Sequence, residues 1–190
     1  MTPDVGNGRA NSATKFKIVC FNANSIGKNP KRQKILKFLL DKNPDFVLIN
    51  DTRLGKNTET AVRDEWEGRC IFNSFNSQAR GVAIFLKKNN PAKILDSFKD
   101  DNGNVLAILI DYEGKRILLQ TLYGPNQDSP NFYSDLVFNK IEQWMPDYSI
   151  FAGDWNVILD QNKDTKNYLH INNQNSIETI KEQINQHNLI

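Results

Sequence analysis

Several short stretches of this 190-residue chain place side chains that can hold a cation, a proton or an oxyanion directly after apolar runs. Residues 148–152 are apolar and lead into Gly153-Asp154-Trp155-Asn156. In extended backbone, residues two apart point to the same side. Asp154 and Asn156 are therefore expected to leave one strand end side by side, with Gly153 allowing a close approach to the backbone. The competing expectation is a polar turn closed by an Asx-type bond. A carboxylate binds a hard cation or takes a proton, and a carboxamide donates to or accepts from an oxyanion. Asn22 and Asn24 repeat the spacing after residues 16–21, Asp51 follows residues 45–50 with Arg53 two further on, and Tyr123 and Asn126 follow residues 116–122. A core built only for stability needs none of these. Brought to one edge, they suit attack on a phosphodiester, which calls for a divalent cation, a base for water and donors for the charge on the phosphorane. Magnesium favours one or two carboxylates plus waters. Asp51 is the candidate direct ligand, and Asp154 the candidate for orienting water or metal.

These side chains can meet only if the elements carrying them end together. Residues 16–21 and 45–50 read as strands, the second apolar enough to be buried on both faces. Between them Asn29-Pro30 starts a helix, with Asn29 as N-cap and Pro30 at N1. Ile35, Phe38 and Leu39, beside Leu36 and Leu40, form its inward stripe, while Lys31, Arg32, Lys34 and Lys37 lie on or near its outer side. Asn43-Pro44 ends it. Strand, helix and strand of these lengths imply a right-handed crossover and parallel pairing, which puts Asn22, Asn24 and Asp51 on one edge. A short helix is expected over 59–67, with Ala61, Val62 and Trp66 inward. Residues 69–72, 80–86, 92–97, 104–112 and 116–122 read as antiparallel strands, with hairpin turns at Asp101-Asn102-Gly103 and Glu113-Gly114. Asp128-Ser129-Pro130 opens another helix. Residues 162–174 are polar and loop-like, and Asn175-Ser176-Ile177-Glu178 resembles a capping box for a last helix. Trp155 should point away from Asp154 and Asn156, into packing. The order βαβ, β-meander, αβ, α is that of an α+β sandwich with helices outside.

The length suits one domain. Residues 1–14 are polar and form an expected disordered tail, leaving a domain over 15–190. No apolar run approaches the roughly 18 residues of a membrane span. Cys20 and Cys70 fall in apolar runs and are expected to be buried thiols, which fits a reducing, intracellular setting. The net charge of +2 hides an asymmetry: residues 1–95 carry 17 Lys and Arg against 8 Asp and Glu (+9), and residues 96–190 carry 7 against 14 (−7). That division suits a chain that meets a polyanion and also holds a cation.

The chain resembles the endonuclease/exonuclease/phosphatase superfamily, the group of exonuclease III-like apurinic endonucleases. The resemblance lies in Phe21-Asn22-Ala23-Asn24, Ile49-Asn50-Asp51-Thr52-Arg53-Leu54, Arg80-Gly81-Val82-Ala83-Ile84, Leu122-Tyr123-Gly124-Pro125-Asn126 and Gly153-Asp154-Trp155-Asn156, in that order over residues 15–190. Within the superfamily the chain looks most like the endonuclease domain of non-LTR retrotransposon proteins. The resemblance implies a four-layer α/β sandwich of two β-sheets between helices. It implies a Mg2+ or Mn2+ cofactor, DNA as partner, hydrolytic nicking of target DNA, a reverse transcriptase domain following in cis, a monomer without a membrane anchor, and a nuclear location. It places Asn22 by the metal and the scissile phosphate and Asp51 as metal ligand. Tyr123 falls on the phosphate, Asp154 on the nucleophilic water, and Asn156 on the oxyanion or leaving group. Asn24 and Asn126 fall on the DNA. Arg53 and Arg80, which follow or precede site strands, are expected either to touch DNA phosphates or to form surface or sheet-edge salt bridges.

The chain departs from the pattern twice. Asp51 stands where the family carries a glutamate, one methylene longer, so weaker metal binding is expected. The family's later Asp and final Ser-Asp-His segment are not seen, nor the strands that close its second sheet, and His170 and His187 lie in no Asp-His pair. Lost or much reduced catalysis is the resulting expectation. The alternatives are a non-catalytic remnant binding nucleic acid through Lys31, Arg32, Lys34 and Lys37, or an apurinic-site endonuclease or phosphatase of the same superfamily.

Overall fold

The computed structural model describes residues 15–160, 163 and 173–190. The tail 1–14 and most of the polar stretch 162–174, His170 included, lie outside the described residues. In chain order the elements are β1 (Ile18–Asn22), α1 (Asn29–Asp41), β2 (Phe46–Asn50), α2 (Lys56–Glu65), β3 (Gly68–Asn73), β4 (Val82–Lys87), β5 (Lys93–Lys99), β6 (Val105–Tyr112) and β7 (Lys115–Tyr123). A π-helical segment (Phe132–Phe138) then runs into α3 (Asn139–Trp144), followed by β8 (Tyr148–Asp154) and α4 (Gln174–Gln186).

The strands form two four-stranded sheets, ordered β1-β2-β4-β3 and β5-β6-β7-β8. The crossover through α1 makes β1 and β2 parallel, and β7 and β8 are likewise parallel across the π-helix and α3. The remaining pairs are antiparallel. Alternation sorts each strand. Phe46, Leu48, Ile84, Leu86, Leu106, Ile108, Ile117 and Leu119 face between the sheets. Val47, Ile49, Ala83 and Phe85 face outward onto α1 and α2. Val105 and Leu122 face Tyr133, Val137 and Phe138 of the π-helix and Ile180 of α4. Burial on both sides explains why β2 and β6 read as continuous apolar runs. The result is the expected α/β sandwich of two sheets flanked by helices.

Local departures have physical reasons. The N-cap of α1 is Lys28 rather than Asn29, which is the first helical residue, and no side chain caps it. Its inward stripe is narrower than expected: Phe38 and Leu40 are exposed, while Arg32 is buried and forks onto Glu65 of α2. The helix expected at 59–67 starts earlier, at Lys56, because Thr58 forms a reciprocal pair of bonds with Gly55. Cys20 is exposed because β1 is an edge strand; Cys70 is buried, and burial pushes its thiol up to about 12. The capping box at 175–178 does not form. Asp128, from the loop after β7, instead accepts from the backbone N–H of Asn175 and Ser176 and from the Ser176 hydroxyl, capping α4 from 47 to 48 residues away.

Candidate active site

All the motif ends fall at one end of the sandwich. Asn22 is the register partner of Asn50, Asn50 of Val82, and Asn73 of Val82, so these ends of β1 to β4 lie in one row. Tyr123 is the register partner of Asp154 on the other sheet. The β1–β2 ladder continues past both strands, with Ser25 N–H donating to Asp51 O (2.8 Å) and Ile26 N–H to Thr52 O (3.0 Å). Asp51 thus lies beside the Asn22–Asn24 segment. The two rows are joined across the sandwich by Asn22 Nδ2, which donates to Asp154 Oδ2 at 3.3 Å.

The backbone at this end is unusual. Asn24 (φ 41°), Ser25 (74°), Asp51 (54°), Arg53 (49°), Arg80 (61°) and Asn156 (51°) all occupy left-handed conformation without being glycine. Such residues are uncommon, and their clustering at one edge marks a place where shape is held against local preference. It also overturns the two-residue spacing rule. β8 ends at Asp154 and the chain reverses, so Asn156 does not continue its face. Asn156 N–H donates to Asp154 Oδ1 (3.2 Å), the Asx-type bond, and its carboxamide donates to Gly124 O (2.5 Å). Asn24 likewise turns away, its N–H donating to Asn22 Oδ1 (3.1 Å) and its carbonyl accepting from Lys31 Nζ. Both pairs therefore brace one side chain: Asn24 fixes Asn22, and Asn156 together with Asn22 fixes Asp154.

Gly153 does allow a close approach to its backbone. Its Cβ would fall 2.1 Å from Leu122 O, so the neighbour that comes this close is the backbone of β7. Trp155 does point into packing, stacked on Tyr133 with ring centroids 6.0 Å apart and planes within 5°. Tyr133 in turn donates to Trp155 O (2.5 Å), and burial, with Asp154 and Asp128 adding to it, raises its pKa and keeps that donor protonated.

Asp51 is buried, and Arg53 grips it bidentately: Nε to Oδ1 and Nη2 to Oδ2, both 2.8 Å. The Arg53 pKa is raised by this hydrogen bond first and by the Asp51 charge next, and the Tyr123 phenol acts on it in the same direction. Arg80 offers its backbone carbonyl to Arg53 N–H (2.8 Å), but its guanidinium turns aside to Asn104 Oδ1 (3.3 Å) and over the Phe75 ring. Asn126 is exposed on the loop after β7. His187 caps the C-terminal end of α4 in an outer layer.

Further polar residues sit at this end. Asn50 and Thr121 continue the inward alternation of Phe46-Leu48 and Ile117-Leu119, are fully buried, and have Nδ2 and Oγ1 without a partner among the described residues. Asn104 and Asp100 lie in the β5–β6 turn and tie it to Tyr123 O and to Asn73. Period-two alternation alone would have found the first two.

No group of three or more His, Cys, Asp or Glu side chains gathers among the described residues. The oxygen donors are one carboxylate from each sheet, Asp51 and Asp154, and the Asn22 carboxamide. That set fits magnesium, which keeps several waters and needs few protein ligands. It fits at Asp51 only with the Arg53 fork released, since both carboxylate oxygens are engaged.

The sequence profile of the Endonuclease/Exonuclease/phosphatase family matches residues 19–163, from β1 through every strand end just described. The chain belongs to the endonuclease/exonuclease/phosphatase family. Solved structures share the fold. An AP endonuclease from Leishmania major is 16% identical with a TM-score of 0.68, over 98% of this chain and 72% of that one. A 3' phosphatase from Neisseria, bound to product DNA hairpin, is 19% identical with a TM-score of 0.62, over 90% and 71%. A humanized TDP2 from D. rerio is 18% identical with a TM-score of 0.54, over 75% and 63%. The chain thus spans about two thirds of the length of these structures. Among the described residues no helix is long and apolar enough to cross a membrane.

Proposed function

We propose that this chain hydrolyses DNA phosphodiester bonds with the help of Mg2+ or Mn2+, as an endonuclease that nicks a duplex. The observation that carries the reading is the Asn22–Asp154 bond, which couples the ends of the two sheets beside Asp51 and Tyr123. Asp51 and Asn22 hold the cation, which when bound polarises a non-bridging phosphoryl oxygen. Asp154, its two oxygens oriented by Asn22 and by Asn156 N–H, keeps lone pairs with which to align a water. Asn156 has one amide proton committed to Gly124 and a second for the oxyanion or leaving group. Tyr123 meets the phosphate, and Asn24, Arg53, Arg80 and Asn126 meet flanking DNA. Arg32 drops out of the basic group Lys31, Arg32, Lys34 and Lys37 of the non-catalytic alternative, because it is buried against Glu65. The basic first half of the chain and the product DNA in the Neisseria structure support nucleic acid as partner.

The Arg-Gly-Val-Ala-Ile strand and the Tyr-Gly-Pro-Asn turn support a narrower reading: a nick that primes reverse transcription, made in the nucleus by a protein carrying a reverse transcriptase in cis. Activity is set low by the Arg53 hold on Asp51. The experiment is nicking of supercoiled plasmid with and without Mg2+ or Mn2+, by the chain and by any longer protein containing it. Metal-dependent nicking that falls roughly 10^2- to 10^4-fold in Asp154→Ala supports the proposal. Nicking unaffected by Asp154→Ala, or no metal-dependent nicking in either form, overturns it.

A further inference from the structure

Asp51 and Arg53 sit two apart on the segment that leaves β2, both in left-handed backbone. The Arg53 side chain folds back onto the carboxylate, so both Asp51 oxygens accept from one guanidinium at 2.8 Å. The partners differ in freedom. The Asp51 side chain is 7% exposed, and that of Arg53 34%. The backbone between them is pinned: Thr52 N–H donates to Gly81 O (2.9 Å) and Arg53 N–H to Arg80 O (2.8 Å). Arg53 can therefore swing out with only its side chain moving, while Asp51 stays. A divalent cation and a guanidinium fork need the same lone pairs. Both cannot occupy Asp51 at once with full contacts, and whichever leaves exposes a buried carboxylate that the other then neutralises.

We propose that Arg53 is a built-in competitor for the cation at Asp51: it closes the site until a divalent cation displaces it, and its freed guanidinium then faces substrate phosphate at the same mouth. This rests on the reading of Asp51 as a cation ligand. It identifies a residue that sets the cation concentration at which the site opens, since apparent affinity is reduced by the fraction of molecules held closed.

The test is Mn2+ binding to the DNA-free chain by isothermal titration calorimetry, for the wild type, Arg53→Gln, Arg53→Lys and Asp51→Asn, each checked for fold by circular dichroism. Arg53→Gln should bind Mn2+ about three- to tenfold more tightly than wild type, with Arg53→Lys between them, because a single ammonium does not reproduce the fork. Asp51→Asn should bind at least about tenfold more weakly. If Asp51→Asn weakens binding but Arg53→Gln does not tighten it, the competition is overturned and the reading of Asp51 survives. If Asp51→Asn binds as wild type does, Asp51 is no ligand, and both fall. Titrating the wild type with Mg2+ while following the Arg53 Nε–H resonance needs no variant. A shift that saturates with binding supports displacement, and an unmoved resonance at saturating Mg2+ overturns it.

Discussion

At the scale of single residues, the site end of this sandwich carries polar groups that stability alone does not account for. Thr121 and Asn50 sit where the alternation of β7 and β2 calls for apolar side chains, fully buried, with orphaned donors or acceptors. A buried hydroxyl without a partner costs free energy that an isosteric methyl does not. Thr121→Val should therefore raise stability by up to about 1 kcal/mol, read as a higher urea midpoint at unchanged slope. A fall of that size would mean that the hydroxyl is satisfied and belongs to the working site. The residue types at the strand ends were legible in the sequence, because carboxylate and carboxamide after an apolar run are a chemical signal in themselves. Their directions were not. The two-residue spacing rule assumes extended backbone, and Asn24, Asp51 and Asn156 are all left-handed. The same turns that broke the rule produced the bracing of Asn22 and Asp154 and the Arg53 fork.

At the scale of elements, strands were read more closely than helix ends. Each strand carries its own apolar period, whereas a helix end is decided by whichever group reaches its free N–H donors. For α4 that group is Asp128, far away in sequence, which no local pattern near residue 175 could reveal. The hydrogen bond from the Ser176 hydroxyl, then burial in opposition, then those from the Ser176 and Asn175 backbone, leave the Asp128 pKa below its ordinary value. A carboxylate whose folded pKa is depressed adds stability in full above its unfolded pKa, about 3.9, and loses it as pH falls through the folded value. Asp128→Ala should accordingly lower Tm by about 3 °C at pH 7. The gap to wild type should begin to narrow below about pH 4 and go on narrowing as pH falls further, measured as paired thermal melts across pH. A gap that does not narrow at all as pH falls below about 4 would show that Asp128 acts by packing rather than by charge. The helix expected after Asp128-Ser129-Pro130 forms, but no local pattern announced that residues 132–138 are π-helical; there Gln120 Nε2 of β7 donates to Val137 O (3.1 Å).

At the scale of the whole molecule, the two sheets must be held in register at the end where Asn22 of one meets Asp154 of the other. That bond is partly exposed, long at 3.3 Å, and cannot do it alone. The stronger tie lies on the far side of the same end. Asn73, closing β3 of the first sheet, donates to Asp100 Oδ1 (2.8 Å), Asp100 O (3.0 Å) and Val105 O (2.8 Å) of the second. Asp100, itself 8% exposed, also accepts from the N–H groups of Asn102, Asn104 and Val105, which sets the β5–β6 turn. From that turn Asn104 reaches Tyr123 O and Arg80, so one buried carboxylate connects sheet alignment to two candidate site residues. Asp100→Ala removes a charged acceptor and leaves three backbone donors and the Asn73 amide to find others in a space with little water. A loss of about 3 kcal/mol is expected, at the upper end for a single substitution, because the mechanism is a broken buried network. Asp100→Asn keeps one acceptor oxygen and should lose less. Urea denaturation of both variants checks the ordering. The decisive companion measurement is the Mn2+ affinity of the variants that remain folded: alignment transmitted through Asn104 predicts weaker binding in Asp100→Ala at temperatures well below its Tm, whereas unchanged affinity would confine Asp100 to stability.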